Sequence, residues 1–241
     1  GPIVPGAALA GEPLLFIVFM QVPLYLTAMT VAAFRLNKML VATMRAEREN
    51  GHLAHHDTLT GLRNRAGFVA ALNAKLTASA GVAKPFALLF FDLDNSKPVN
   101  DTYGHAAGDQ VLMLTAERLR RALPETAVIA RLGGDEFVVL VNGVTADQAL
   151  TVGQRIIQTV TMPYQLAGGI SAQVGVSVGI AVSPEHGTEA EQLLAAADAA
   201  LYEAKSEGKA RCRMATVATN VAALRRLTQR SPAPAADRGA A

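Results

Sequence analysis

Two short acidic groupings are the residues best suited to chemistry. The first, Asp92-Leu93-Asp94, follows the apolar run Phe86–Phe91. A run apolar on both faces reads as a central strand, and its end opens onto an edge. Side chains alternate along an extended chain, so Asp92 and Asp94 project to one side, where carboxylate oxygens suit a hard divalent cation. Taken alone, an Asp-x-Asp more often makes a turn or caps a helix. The second grouping, Asp135-Glu136, comes directly after Gly133-Gly134 and before the apolar run Phe137–Val141. Paired glycines between two apolar runs predict a tight hairpin, because its turn needs positive φ. They also let backbone N–H groups approach a phosphate closely. With Asp135 and Glu136 at the hairpin tip beside the strand ending in Asp92, carboxylates from two strands could gather one or two Mg²⁺ ions. Such ions neutralise triphosphate oxygens and lower the pKa of an attacking hydroxyl, as phosphoryl and nucleotidyl transfer require.

The elements that must hold these groups follow from the apolar periodicity. Helices are expected over residues 64–79, 108–122, 146–161 and 189–206, and strands over 86–91, 127–131, 136–141 and near 174–182. This mixture indicates a single α/β or α+β sandwich. Of the 241 residues, 17% are charged and 51% hydrophobic, and the net charge is +2. These values exclude a wholly disordered chain and give no bulk electrostatic reason to expect a nucleic-acid partner. One cysteine, Cys212, precludes an internal disulfide.

Residues 14–34 carry no charge, over a length that matches about 30 Å of hydrocarbon. They are expected to form a transmembrane helix, with Arg35 and Lys38 setting its C-terminal side in the cytoplasm. Residues 35–56 are expected to be a helical linker, whose seam of Leu36, Leu40, Thr43 or Met44, and Leu53 suits either a parallel coiled coil with a second copy or a solvated spacer. The chain opens on Gly1 rather than Met, so residues 1–13 read as the remnant of a longer or processed product. Residues 215–241 read as a tail, partly disordered and ending in small residues and proline.

The residues from Asp57 to Arg213 resemble the GGDEF-domain diguanylate cyclases, which join two GTP molecules into cyclic di-GMP and release pyrophosphate. The resemblance rests on Asp57–Arg65 (DTLTGLRNR), Phe91–Asp94 (FDLD), Asn100–Asp109 (NDTYGHAAGD), Arg131–Phe137 (RLGGDEF), Val176–Ile180 (VSVGI) and Ala197–Lys205 (ADAALYEAK), in that order. It implies an α+β, palm-like fold of the nucleotidyl cyclase or ferredoxin-like kind: a mostly antiparallel sheet flanked by helices, here assigned to residues 57–214. It also implies roles. Asp92 and Asp135 would bind Mg²⁺ (or Mn²⁺), with the Leu93 carbonyl as a further ligand. Asp135 would accept the proton of the ribose 3′-hydroxyl, and Glu136 would support metal and phosphate positioning. Asn100 and Asp109 would read guanine, and His105 would touch substrate. Lys97 and Lys205 would face the phosphates, beside the open backbone of Gly133 and Gly134. Expected with these are a homodimer, each subunit presenting one GTP, and a place at the inner membrane of a bacterium with the catalytic domain in the cytoplasm.

Some positions depart from the family's pattern. Ser96 stands where phenylalanine is usual, and Pro98 follows Lys97; both lie in the guanine-side loop and are expected to weaken GTP affinity or loop order. Lys209 replaces the usual arginine of a Gly-Arg-Asn run and Ala210 its asparagine, leaving a point charge in place of a bidentate phosphate contact. Pro124–Ala127 replaces the Arg-x-x-Asp of the family's product-inhibition site. An active enzyme is favoured, with a GTP-binding regulatory module that has lost catalysis as the alternative.

Overall fold

Nine residues, Phe86–Asp94, form strand β1 in the middle of a five-stranded sheet. The structure, a computed structural model, describes residues 13–79 and 85–216, and in the first helix the side chains of residues 20–39 and 54–55. β1 pairs antiparallel with β3 (Glu136–Asn142) on one side and β6 (Gly175–Ser183) on the other. β2 (Val128–Gly133) flanks β3 antiparallel, and β7 (Cys212–Met214) runs parallel to β6, giving the order β2-β3-β1-β6-β7. The expected mostly antiparallel α+β sheet is therefore the observed one.

Alternation along β1 builds two cores. Ala87, Leu89, Phe91 and Leu93 face helices α4 (His105–Ala122) and α5 (Ala146–Val160). Phe86, Leu88 and Phe90 face α2 (Arg65–Ser79) and α6 (Ala190–Ser206). Phe68, Leu72, Phe86 and Phe91 are almost wholly buried, and each such side chain contributes roughly 1.5–3 kcal/mol of apolar burial. Phe91 and Phe137, opposite each other in the register, stack with centroids 5.6 Å apart. α6 lies directly on β6: a Cβ at Gly179 would meet the Ala197 carbonyl oxygen at 2.0 Å. α5 begins in a capping box, with Thr145 and Gln148 each accepting from the other's backbone N–H.

The structure changes several expectations. β1 runs on through Asp92, Leu93 and Asp94, which all have partners in β6, so the acidic pair lies within the strand. A helix, α3 (Ser96–Tyr103), occupies the presumed guanine-side loop, and α4 starts at His105 rather than Gly108. Asn95 opens α3 in the left-handed region (φ 61), and Pro98 sits in its first turn, where a missing N–H costs no helical bond. A two-residue pair, β4 (Tyr164–Gln165) with β5 (Ser171–Ala172), and strand β7 were not anticipated.

By internal packing the chain divides into two units, residues 1–52 and 53–241. One helix, α1, runs unbroken from Pro13 to His55, with no boundary at Phe34. Among the described residues no helix is long and apolar enough to cross a membrane. The expected span over residues 14–34 is therefore not shown by the structure, and the side chains of residues 14–19 lie outside the described residues. Arg35 and Lys38 continue the same helix beyond Phe34. The side chains of Leu40, Met44 and Leu53 on the linker seam, and residues 217–241 of the tail, lie outside the described residues.

Candidate functional site

The hairpin between β2 and β3 is tighter than the spacing suggested. Gly133 pairs with Glu136, so the turn residues are Gly134, at φ 53, and Asp135; Glu136 is the first residue of β3. Space is open around both glycines. The turn is held from two sides. The Leu93 N–H donates to the Asp135 carbonyl at 3.2 Å. The Arg131 Nε donates to the Gly134 carbonyl at 2.9 Å, while Arg131 Nη1 lies 3.1 Å from each oxygen of Asp57. Asp57 Oδ1 also accepts from the Thr60 N–H and hydroxyl at 2.8 and 2.6 Å. Burial opposes the ionised form of Asp57, but these donors and the Arg131 charge outweigh it and hold its carboxyl below the ordinary value.

On the α2/α6 face of the sheet, Asp92 lies across from Glu136 in the register. Lys205 Nζ, from the last turn of α6, sits 2.7 Å from Asp92 Oδ1, and Arg65 Nη2 sits 3.7 Å from Glu136 Oε2. Burial pushes Asp92 up, against its Lys205 bond and with repulsion from Asp135 and Asp94. Burial likewise pushes Glu136 up, against Arg65 and with repulsion from Asp92, Asp198 and Asp135. Asp94 shares the Asp92 side of the strand but is committed elsewhere. It is buried, accepts from the Ser177 hydroxyl at 2.7 Å and the Ala210 N–H at 3.4 Å, and leaves Oδ1 without a partner.

Among the described residues, no three His, Cys, Asp or Glu side chains converge as a metal cage. The Lys205 ammonium and the Ser96 hydroxyl, the latter 2.6 Å from Asp135 Oδ2, hold oxygens that a cation would use. The donor set nevertheless fits a hard cation. It is all oxygen, and two of its carboxylates are pushed up by burial, with repulsion from neighbouring carboxylates adding to it.

A pocket of about 310 Å³ opens on the α3/α4 side of the hairpin, floored by Val99, Val111 and Val174. Lys97 and Asn100 enter it from α3, His105 and Asp109 from α4, and Leu93, Gly134 and Asp135 close the end toward the strands. The Asn100 carboxamide presses against Gly108, where a Cβ would lie 1.9 Å from Asn100 Oδ1. Gly108 thus leaves the room in which Asn100 is seated. Gly133, Lys205 and Lys209 are not in the pocket wall. Lys209, at φ 63, reaches Asn95 Oδ1 with its Nζ at 3.3 Å.

Residues 54–211 match the model of the family "Diguanylate cyclase, GGDEF domain". The chain belongs to the GGDEF diguanylate cyclase domain family. It is 41% identical over 165 residues to the diguanylate cyclase TpbB of Pseudomonas aeruginosa, a match covering 68% of this chain and 38% of that protein. The solved GGDEF domain of TpbB is similar at 39% identity and a TM-score of 0.67, covering 73% of this chain and 99% of that domain. The coiled coil and GGDEF domain of DgcB from Caulobacter crescentus, solved in complex with c-di-GMP, is 28% identical with a TM-score of 0.62, covering 74% and 97%. This chain spans less than half the length of the curated relatives it matches.

Within this GGDEF domain the expected site residues fall into two groups separated by the plane of the sheet. Asn100, His105, Asp109, Lys97 and Asp135 share the pocket; Asp92, Glu136 and Lys205 lie on the other side of the hairpin's base. Two residues acting on the site were not among the candidates. Arg65 faces Glu136, and its only signal was a place in the Asp57–Arg65 run that carries part of the family resemblance. Ser96 was noted for the phenylalanine it lacks, and nothing in the sequence announced its hydrogen bond to Asp135.

Proposed function

We propose that this chain is a diguanylate cyclase that condenses two GTP molecules into cyclic di-GMP and two pyrophosphates, acting as a homodimer. One observation carries the reading: Asp135, on a hairpin tip, opens into the same pocket as Asn100 and Asp109. A carboxylate at Asp109 can accept from guanine N1–H and the 2-amino group, while the Asn100 amide can also donate, a pairing that selects against adenine. The pocket thus supports guanine at one end and a proton acceptor at the other.

Asp92, Asp135, Glu136 and the Leu93 carbonyl would hold Mg²⁺ (or Mn²⁺), which when bound supplies charge neutralisation at the triphosphate and acidifies the 3′-hydroxyl. Asp135 takes the 3′-hydroxyl proton as that oxygen bonds to the α-phosphorus of the second GTP. The bond from that phosphorus to pyrophosphate breaks, and the same step in the opposite sense closes the ring. Gly133 and Gly134 put no side chain between the turn and the phosphate oxygens, and Lys97, Lys205 and Lys209 supply positive charge around them. His105 lies against the nucleotide in the pocket. One site holds one GTP, so two copies must face each other for in-line attack. The work would take place in the bacterial cytoplasm, where GTP is found.

The test is incubation of the full chain with GTP and Mg²⁺ at tens of micromolar, followed by chromatography for cyclic di-GMP, with Asp135→Ala as control. Product that vanishes in the control supports the cyclase. A second reading, a GTP-binding regulatory module, draws on the Lys205–Asp92 and Ser96–Asp135 contacts, which fill the metal side of the site. GTP binding without product would favour it.

A further inference from the structure

We infer that Ser96 is a positioning residue for Asp135, an inference that rests on the cyclase reading above. Its hydroxyl donates to Asp135 Oδ2 at 2.6 Å across 39 residues of sequence. The backbone of Asp135 is pinned by the Leu93 N–H and, one residue before, through the Gly134 carbonyl by Arg131. Neither contact restrains the carboxylate, which at the tip of a two-residue turn would otherwise sample several rotamers. The Ser96 bond selects one of them. It occupies one oxygen and leaves Oδ1 for the reacting end of the nucleotide.

The placement of Ser96 gives this bond a second consequence. Ser96 is the first residue of α3, and Asn100 lies four residues on, on the same face of that helix. Both line the pocket, as does Asp135. One short helix therefore carries a candidate guanine reader and the donor that aims the candidate proton acceptor. A nucleotide seated against Asn100 fixes α3, and α3 fixes the direction of the Asp135 carboxylate. Phenylalanine at this position has no donor to offer, so this chain uses a hydrogen bond where the family pattern uses an apolar side chain.

The test compares the wild-type chain with Ser96→Ala and Ser96→Thr. The expected result is a fall in kcat of about tenfold in Ser96→Ala, the size of losing one hydrogen bond to a charged group. KM for GTP and affinity for a GTP analogue bridged by methylene between the α- and β-phosphates should stay within about twofold, and Ser96→Thr should restore kcat. Urea unfolding of wild type, Ser96→Ala, Asp135→Asn and the double variant is expected to be non-additive. Wild-type kcat in Ser96→Ala, a change confined to KM, or strictly additive unfolding would overturn the assignment of Ser96 alone. A wild-type chain that binds the analogue and makes no product would overturn the cyclase reading together with it.

Discussion

Asp57 and Asp92 each face a cation at hydrogen-bond distance, yet their surroundings push them in opposite directions. Asp57 binds both oxygens to Arg131 and takes two more donors from Thr60, and its carboxyl sits below the ordinary value. Burial, with repulsion from Asp135 and Asp94, pushes the Asp92 carboxyl above that value although Lys205 holds one of its oxygens. Glu136 behaves like Asp92. The difference separates a carboxylate whose partners are complete from a group of carboxylates short of positive charge. The first kind holds a fold together; the second is arranged for something that arrives with charge of its own.

The largest effect should come from the second kind. Asp135→Asn is expected to lower cyclic di-GMP formation about a thousandfold while leaving nucleotide-analogue binding measurable by calorimetry; retained turnover would remove Asp135 from the chemistry. Next is Asp57→Ala, which strands an Arg131 side chain that is 11% exposed. It should cost about 2–3 kcal/mol in urea unfolding at neutral pH. Because the folded-state pKa of Asp57 is lowered, its contribution is full above the ordinary carboxylate range and is lost as pH falls through the lowered value. The gap between wild type and variant should therefore close in acid, and a gap that persists would mean Asp57 acts by packing rather than charge.

A smaller effect is expected from Gly108→Ala. The added Cβ displaces the Asn100 carboxamide, so KM for GTP should rise about tenfold, the size of one lost hydrogen bond, with kcat little changed. The smallest is Glu136→Gln. A carboxyl whose folded-state pKa is raised stabilises the fold only where it is protonated, and that contribution is lost as pH rises through the raised value. In metal-free buffer the variant should melt slightly above wild type at neutral pH and match it in acid. A neutral-pH loss of stability would show the Arg65–Glu136 pair to be structural, like Asp57 and Arg131.

Much of this was legible because the patterns are strict. Phe86–Phe91 is apolar throughout, so its central place in the sheet followed, and Gly133-Gly134 between two apolar runs located the hairpin. α3 was hidden because Ser96–Tyr103 is mostly polar and contains Pro98, a composition that reads as a loop. The helix depends on Asn95 turning the chain and on proline falling in the first turn. Strand β7 is three residues long and exists through its parallel pairing with β6, a partnership no local periodicity reveals. The hydrogen bond from Ser96 to Asp135 joins residues far apart in sequence, and only the packed hairpin brings them together. The expected span over residues 14–34 is not shown, because the side chains of residues 14–19, its most apolar turns, lie outside the described residues.

The backbone of Arg63 donates to the Ile129 carbonyl and accepts from the Arg131 N–H, so the segment before α2 lies along the outer side of β2. That edge is therefore closed to strand addition from another molecule. A second copy of this chain cannot add a strand there to extend the sheet into one continuous ribbon. The covering guards this edge of the sheet against edge-to-edge aggregation.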